Sequence, residues 1–373
     1  MTRRVGIDIH AIGQRQTGNE TYIANLIAQF ATMQRPWTCV LYHTLPAESL
    51  DRRGQPAEFH RVRPHSPLLR IPLSFPCVLA RDRIDLAHFQ YVSPPLSPCP
   101  TIVTVHDISY ELFPEYFNPL ARKRMQWLIP RSARRAAHVL TVSEFSRRSI
   151  IERYGIPEDR ITATPLGTSP AFRRLDPDEA QRVTARFGLT RPFILAVGNL
   201  QPRKNLERLL QAFARLREEC GPGLELVLAG QVSWRGHRVE QEAQRLGLLG
   251  NVRLTGYVSQ DELVALYNRA LVFAYPSTFE GFGLPVLEAM ACETPVLTSN
   301  VSSLPEVAGE AALQVDPFDV AAIADGLKRL VEDTSLRVRL IALGQQQVRR
   351  FDWRRTAEAT ADVYERALCD GAG

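Results

Sequence analysis

Short apolar runs recur along the chain, and between them apolar residues follow the spacing of amphipathic helices. In the first half the runs predict strands at Val5–Ile9, Thr38–Tyr42, Asp85–Phe89, Ile102–Val105, Val139–Val142 and Ile161–Thr164. The helical stretches between them include Glu20–Thr32, Ala121–Ala137 and Glu144–Tyr154. Alternation of strands and helices predicts a parallel sheet with helices on both faces.

The same alternation restarts near residue 190. It predicts strands at Phe193–Gly198, Glu225–Gly230, Val252–Leu254, Leu271–Tyr275 and Pro295–Thr298, with helices that include Leu206–Glu218, Asp261–Asn268 and Pro285–Ala291. A chain of 373 residues exceeds one ordinary core and fits two domains. We therefore predict an α/β protein with two doubly wound domains, residues 1–175 and 190–353, and a packing helix at 354–373.

The predicted join between the domains, Ala171–Pro192, contains one motif with two interpretations. In Asp176-Pro177-Asp178-Glu179, Asp176 suits a helix N-cap, Pro177 suits the first helical position, and the two acids suit the first turn. Asp176-x-Asp178 also matches the Asp-x-Asp signature of metal-dependent transferases. We favour the cap, because helix-start chemistry explains all four residues.

Composition narrows the class of protein. Hydrophobic residues make up 45% and charged residues 23%, as in a soluble globular protein. We see neither a signal-peptide core after Met1 nor a membrane-spanning run, so we expect a cytoplasmic protein. The six cysteines are scattered without metal-ligand spacing, so we expect reduced thiols and no structural zinc.

The net charge of +5 allows three interpretations. Basic clusters such as Arg122-Lys123-Arg124, Arg134-Arg135 and Arg147-Arg148 fit solvated helix faces best. Attraction to an anionic membrane, on the inner face, or to a phosphate-bearing acceptor ranks second. Nucleic-acid binding ranks last, because no recognised motif for it is present, and we expect none.

The strongest chemical signal is the segment that follows the predicted strand ending at Tyr275. Gly281 and Gly283 allow backbone amides to approach a ligand closely, and a helix that begins near Leu284 directs its positive end at an anion. Two carboxylates, Glu280 and Glu288, flank this anion site. Two carboxylates beside an anion site are explained if each accepts hydrogen bonds from hydroxyl groups of one ligand that also carries phosphate. A sugar nucleotide is such a ligand. An N-cap at Glu280 with an incidental Glu288 is the structural alternative.

Three further segments follow predicted strands. Arg203-Lys204 is placed to clamp a diphosphate; a solvated turn in which Asn205 caps the next helix is the structural alternative, although such a cap does not exclude the phosphate role. Gly18 lies at the turn after the first strand, where a loop can approach a phosphate or an acceptor. His106-Asp107 closes a strand, at the edge where doubly wound sheets bind ligands; a histidine satisfied by its neighbours is an equal alternative. Motifs of serine hydrolases, P-loop NTPases and zinc proteases are absent.

Glu280 and Glu288, separated by seven residues within Glu280-Gly281-Phe282-Gly283-Leu284-Pro285 and Glu288-Ala289-Met290, resemble the signature of a known family. The chain resembles retaining GT-B glycosyltransferases of family 4 (glycosyl transferases group 1). The resemblance covers essentially the whole chain. It implies two Rossmann-like domains that face each other across a cleft, with a C-terminal helix that crosses back to the first domain.

The resemblance also implies roles for individual residues. Glu288 is expected to hold the ribose hydroxyls, and Glu280 the hydroxyls of the donor sugar. The amides of Gly281, Phe282, Gly283 and Leu284 are expected to meet the distal phosphate and the sugar. Arg203 and Lys204 are expected to neutralise the diphosphate, and His106, with Asp107 beside it, to lie near the anomeric centre. Gly18 is expected below the phosphate.

The implied reaction moves a hexose from a nucleoside diphosphate sugar to an acceptor hydroxyl with retention, without cofactor or metal. Many family members carry Gly-Arg where this chain has Gly198-Asn199. The Pro202-Arg203-Lys204-Asn205 form resembles a mannosyltransferase-like subgroup, which favours GDP-mannose as donor. The acceptor is expected to be a glycan or a lipid-linked intermediate of cell-surface polysaccharide or glycolipid. The alternatives are a nucleotide-sugar epimerase of the same architecture and a catalytically silent nucleotide-sugar-binding module.

Overall fold

Parallel pairing joins the strands of two separate sheets in the computed structural model, which describes residues 2–13, 17–45, 56–199, 201–221, 223–231 and 237–370. The chain forms two compact units. Residues 1–166 and 353–373 make the first, and residues 167–352 the second. The sequence prediction placed the domain limits at 175 and 190, so the second unit begins earlier than that prediction, and the join Ala171–Pro192 lies within it.

The first unit contains a seven-stranded sheet with the order β3-β2-β1-β4-β5-β6-β7. Its strands are β1 (Arg3–Asp8), β2 (Trp37–His43), β3 (Ala57–Arg61), β4 (Leu86–Gln90), β5 (Thr101–Thr104), β6 (His138–Thr141) and β7 (Ile161–Ala163). The helices between them are α1 (Thr17–Thr32), α2 (Pro67–Leu69), α3 (Phe75–Arg81), α4 (Ser109–Leu112), α5 (Pro119–Arg135) and α6 (Glu144–Tyr154). A π-helical turn, Arg70–Ser74, joins α2 to α3.

The second unit contains a six-stranded sheet with the order β10-β9-β8-β11-β12-β13. Its strands are β8 (Phe193–Val197), β9 (Glu225–Ala229), β10 (Val252–Gly256), β11 (Val272–Tyr275), β12 (Val296–Ser299) and β13 (Leu313–Val315). Its helices are α7 (Pro177–Thr184), α8 (Leu206–Cys220), α9 (His237–Arg245), α10 (Gln260–Arg269), α11 (Leu284–Ala291), α12 (Leu304–Ala308), α13 (Val320–Glu332) and α14 (Thr334–Val348).

The C-terminal helix α15 (Trp353–Asp370) belongs to the first unit. Its buried Tyr364 packs between the rings of Phe30 and Trp37, at centroid distances of 5.7 and 5.3 Å. The Tyr364 hydroxyl also meets His88 Nδ1 at 2.5 Å. The chain therefore returns to its first unit at the end, as the sequence predicted.

Local chemistry confirms one predicted helix start. Asp176 is the N-cap of α7, and its carboxylate accepts hydrogen bonds from the backbone N–H groups of Asp178 (2.9 Å) and Glu179 (3.4 Å). The capping interpretation of Asp176-Pro177-Asp178-Glu179 is confirmed. Two amides of the first turn thereby gain the acceptors that a helix start otherwise lacks.

Candidate active site

The loop between β11 and α11 depends on one glycine. Gly283 is the N-cap of α11 and has a φ of +116°. A Cβ at this position would lie 2.8 Å from Leu304 Cδ2, so a side chain is excluded by both space and backbone conformation. Leu284 and Pro285 then begin the helix, which leaves its first amides at the carboxyl edge of the sheet.

Serine side chains of the following segment hold this loop in place. The Glu280 backbone N–H donates to Ser302 Oγ at 3.1 Å. Ser303 Oγ donates to the carbonyls of Glu280 and Phe282, at 2.9 and 2.7 Å. Gly281 lies between these anchors. The backbone that carries Glu280 is therefore fixed on both sides.

The loop after β8 is tied to the loop after β11 by an asparagine. Pro202–Lys204 forms a 3₁₀ turn, and Asn205 follows in the left-handed conformation with a φ of 61°. The Asn205 amide donates to the carbonyls of Pro276 (3.0 Å) and Pro317 (2.6 Å). Asn205 is the N-cap residue of α8, as predicted, but its side chain makes no capping hydrogen bond, because the amide is directed at these neighbouring loops instead.

Three predicted site residues meet at this edge. Arg203 Nη1 lies 2.5 Å from Glu280 Oε2, and Lys204 Nζ lies 2.7 Å from Glu280 Oε1. Lys204 and Glu280 are buried, with 8% and 7% of their surface exposed. Lys204 also donates to the Tyr275 hydroxyl and lies 4.4 Å from the centre of its ring. Each oxygen of Glu280 thus has its own cation, and the cap alternative for Glu280 is excluded.

Burial and charge act against each other in this cluster. Burial would raise the pKa of Glu280, but the Arg203 and Lys204 charges outweigh it and lower the pKa to about 2. Burial, together with the Arg203 charge, lowers the pKa of Lys204 to about 8, although Glu280 opposes that shift. Glu280 is therefore a carboxylate at neutral pH, and its pairing with Arg203 persists when Lys204 loses its proton.

Glu288 has a different environment on α11. Tyr267 donates its hydroxyl to Glu288 Oε2 at 3.2 Å. Burial raises the pKa of Glu288 to about 7, while Tyr267 and Lys204 oppose the shift. The two signature glutamates therefore differ in charge near neutral pH, a difference that the sequence does not show.

His106, in the first unit, lies just beyond the carboxyl end of β5. Its Nε2 is 2.9 Å from Gln90 Oε1, and the Tyr22 ring approaches it edge-on with a centroid distance of 4.8 Å. Burial lowers the pKa of His106 to about 3, so the imidazole is neutral. Gln90 was not predicted, although it ends strand β4 and the strand-end rule applies to it equally.

The other two predicted residues of the first unit are Asp107, which has a local structural contact, and Gly18, which has none through a side-chain position. Asp107 Oδ1 accepts the Ser109 backbone N–H at 2.8 Å, at the start of α4. Gly18 lies in the first turn of α1, whereas the sequence predicted a loop before a helix starting at Glu20. A Cβ at Gly18 would meet nothing within 4 Å. Close packing in this structure therefore does not explain the glycine.

Metal-ligating clusters and membrane-spanning helices are both absent from the described residues. These residues contain no group of three or more His, Cys, Asp or Glu side chains arranged to hold a metal ion. Within the same ranges, no helix has the length and apolar character needed to cross a bilayer.

Comparison with solved structures identifies the architecture. Sucrose-phosphate synthase from Thermosynechococcus elongatus superposes with a TM-score of 0.80 at 21% identity, covering 99% of this chain and all of that one. Anabaena HepE in complex with UDP and glucose gives 0.77 at 18% identity, covering 97% and 99%. The chain has two Rossmann-like domains and superposes on these proteins over nearly its whole length. Its fold is therefore the GT-B fold of glycosyltransferases.

Sequence comparison then identifies the family. The family "Glycosyltransferase Family 4" matches residues 17–172, and "Glycosyl transferases group 1" matches residues 177–347. The O-antigen chain mannosyltransferase B of Escherichia coli is 40% identical over 266 residues, which cover 71% of this chain and 70% of that protein. The serotype-specific mannosyltransferase WbdA of the same organism is 33% identical over 63% of this chain, but over only 29% of its own length. The chain belongs to glycosyltransferase family 4, as the Glu280 segment predicted, and it is a glycosyltransferase.

Proposed function

We propose that this glycosyltransferase transfers mannose from GDP-mannose to an acceptor hydroxyl, with retention of configuration at the anomeric carbon. The observation that carries the proposal is the convergence of Arg203 and Lys204 on Glu280 beside the amino end of α11. A nucleoside diphosphate sugar combines hydroxyl groups that a carboxylate binds with phosphates that cations and amides bind. This cluster offers both kinds of partner.

The cluster fits the chemistry of diphosphate departure. Cleavage of the glycosidic bond places negative charge on the leaving phosphate, and fixed positive groups at that position stabilise the transition state. Arg203 and Lys204 contribute two positive charges and Glu280 one negative charge, so the cluster carries a net charge of +1. Since these cations and the α11 amides supply the neutralisation, the proposed reaction has no metal and no cofactor.

Glu280 has two functions in this proposal. It holds both cations in place, and it accepts hydrogen bonds from hydroxyl groups of the donor sugar. Glu288 binds the ribose hydroxyls. The acceptor hydroxyl attacks the anomeric carbon from the face that the diphosphate leaves, and a phosphate oxygen takes its proton, which gives retention.

The choice of mannose and of GDP rests on two supports. The Pro202-Arg203-Lys204-Asn205 turn has the form that resembles mannosyltransferase-like members of the family. The names of the relatives at 40% and 33% identity also describe mannosyltransferases, one of them of the O-antigen chain. We extend this to the acceptor, and propose a glycan or lipid-linked glycan of cell-surface polysaccharide, elongated on the cytoplasmic side of the membrane.

A donor panel tests the proposal in the absence of any acceptor. Thermal-shift measurements with GDP-mannose, GDP, UDP-glucose and UDP should show the largest stabilisation with the guanosine compounds. Glu288→Ala should remove most of the shift, whereas Glu207→Ala, an exposed carboxylate on α8, should leave it unchanged. A larger shift with the uridine compounds would overturn the choice of donor.

Turnover distinguishes the alternatives. Incubation with donor and lipid-linked or soluble glycan acceptors should yield an α-mannoside, whose anomeric proton NMR signal reports its configuration. A β-linked product contradicts retention. An epimerised nucleotide sugar formed without acceptor identifies an epimerase, and donor binding without hydrolysis or transfer identifies a silent binding module.

A further inference from the structure

Two buried histidines lie near the carboxyl edge of the first sheet, and they differ in how many of their ring nitrogens are bonded. His88 of β4 is 1% exposed, with Tyr364 at 2.5 Å from Nδ1 and Thr104 at 2.7 Å from Nε2. His106 is 8% exposed, and its Nε2 meets Gln90. No described group bonds the Nδ1 of His106, which is not fully buried. His88 therefore has the contacts of a core residue, whereas His106 has one nitrogen available to a ligand.

Gln90 ends β4, and its side chain has one polar contact among the described residues. Its Oε1 lies 2.9 Å from His106 Nε2, whereas its own Nε2 is buried without a hydrogen-bond partner in the same part of the chain. An unbonded amide nitrogen in the interior costs stability, and such a group in a folded protein calls for an explanation. Since His106 is the one polar partner, the position of Gln90 is best explained by its effect on His106.

The position of the hydrogen on His106 follows from this contact. Burial lowers the pKa of His106 to about 3, so the ring is neutral near pH 7 and one nitrogen carries a hydrogen. The Gln90 carbonyl oxygen can only accept, so the His106 Nε2–H donates to it. Nδ1 then has a lone pair, and it accepts a hydrogen bond rather than donating one. The bond to Nε2 thus determines the chemical character of Nδ1.

Two aromatic side chains hold the plane of the His106 ring. The Tyr22 ring meets it edge-on at a centroid distance of 4.8 Å, and the Tyr91 ring lies at 5.4 Å. Tyr91 has a φ of 62°, a backbone conformation that a tyrosine rarely adopts. Such positions persist only where the surrounding structure holds them, and they cluster at functional sites. The orientation of Nδ1 is therefore fixed together with its lack of a hydrogen.

We propose that Gln90 is a positioning residue, which holds His106 as the Nε2–H tautomer so that Nδ1 accepts a hydrogen bond from a hydroxyl group of the bound sugar. This role rests on the proposed function, which supplies the hexose. A hydroxyl group fits Nδ1 because it donates, whereas an ionised phosphate oxygen only accepts and would meet the lone pair of the ring. The opposite tautomer would present an N–H at the same place and would favour phosphate. Gln90 thereby selects which part of a nucleotide sugar this nitrogen binds.

Nitrogen NMR of the full chain, with isotope-labelled histidine and no donor, tests the tautomer independently of the reaction. The His106 signals are identified by their absence from His106→Ala. In the native protein, Nε2 should have the chemical shift of a protonated ring nitrogen and Nδ1 that of an unprotonated one. Nδ1 protonated in the native protein would overturn the proposal.

Gln90→Met keeps the approximate size of the side chain and removes the acceptor. The Nε2–H would then be buried without a partner, so Nδ1–H should become the major form and the Nε2–H form should fall to about a tenth. An unchanged major tautomer in Gln90→Met would contradict the role of Gln90. The matched control is Tyr364→Phe, which removes a hydrogen bond from the other buried histidine, His88. It should leave the His106 signals and the transfer rate unchanged.

Transfer kinetics then show whether the tautomer matters to the reaction. With whichever nucleotide sugar the protein turns over, Gln90→Met should lower kcat/KM about tenfold, by the same factor as the Nε2–H fraction. In a His106→Ala background the same replacement should have no further effect, because Gln90 acts through His106. Equal losses in both backgrounds would assign Gln90 to the fold alone and overturn the proposal. Native kcat/KM in His106→Ala would also overturn it, while the proposed transfer reaction would stand.

Discussion

Replacing Lys204 tests the role of the charge cluster most directly. Lys204→Ala removes one of the two cations that meet Glu280 and changes the net charge of the cluster from +1 to zero. Glu280 keeps Arg203 at 2.5 Å, so no buried carboxylate is left without a cation. The variant is therefore expected to fold, with its main defect in the positive potential that faces the leaving diphosphate.

The size of the effect follows from the position of the ammonium group. Lys204 Nζ is buried and fixed by Glu280 and Tyr275, so it needs no reorganisation when charge develops nearby. Loss of one such preorganised group lowers kcat about 10²–10³-fold, or about 2.7–4 kcal/mol in the barrier. The donor KM should change less, because the additional negative charge that bond cleavage places on the leaving diphosphate develops only in the transition state.

The assay is steady-state release of the nucleoside diphosphate, with kcat and donor KM determined separately. Lys204→Met keeps most of the buried stem and should lose as much turnover as Lys204→Ala, which separates charge from packing. Lys328→Ala removes a partly exposed lysine of the same unit, which is paired with Glu219, and should behave like the native protein. Near-native kcat in Lys204→Met, with a folded protein, would refute the role.

Three further predictions concern the same unit. Glu288→Ala should raise the donor KM with little change in kcat, measured by the same assay, since ribose binding is equal in ground and transition states; a collapse of kcat at unchanged KM would contradict the assignment. The pKa of Glu288 is raised to about 7, so its protonated form stabilises the fold below about pH 4.5, and this contribution is lost as pH rises through 7. Between these pH values, the Tm of Glu288→Gln should therefore fall less than the Tm of the native protein, as measured by thermal unfolding. Asp176→Ala should lower the free energy of unfolding by about 1 kcal/mol, whereas Asp176→Ser, which keeps a capping oxygen, should lose less; urea unfolding measures both.

Much of the fold was predictable because buried parallel strands are apolar throughout. Strands such as β8 and β9 are recognisable without structural information, and helix α6 has the predicted bounds, Glu144–Tyr154. Strand β3 was missed because Ala57–Arg61 is an edge strand with polar residues and little burial. Strand β13 was also missed; it is a three-residue strand, Leu313–Val315, at an edge of the second sheet, and only Val315 among its residues is buried.

The sequence placed three candidate site residues after predicted strands, but it did not show their contacts. Arg203, Lys204 and Glu280 follow β8 and β11, and sequence alone does not show that these strands are neighbours. Once they pair, their carboxyl ends bring the two loops together. The contributions of Tyr275 and Tyr267 could not be predicted, because each depends on which side chain the fold places within hydrogen-bonding distance, whereas Gln90 follows from its place at the end of β4. The contacts of the Asn205 amide with the neighbouring loops could not be predicted for the same reason.

The two signature glutamates have different environments, which bears on the two functions proposed for them. Glu280 is buried with two cations and remains charged at any physiological pH, so it can hold Arg203 and Lys204 in a fixed arrangement. Glu288 is buried with a tyrosine hydroxyl and titrates near neutral pH. In the proposed complex, two ribose hydroxyls would donate to Glu288 and favour its ionised form, since hydrogen bonds to a carboxylate lower its pKa. Binding of the nucleotide should therefore release a fraction of a proton near pH 7, and isothermal titration calorimetry in buffers of different ionisation enthalpy measures that fraction. A binding enthalpy independent of the buffer at pH 7 in the native protein would contradict this division between the two glutamates, whereas Glu288→Gln should lose the proton release and retain only the small uptake expected of Lys204, whose pKa is lowered to about 8.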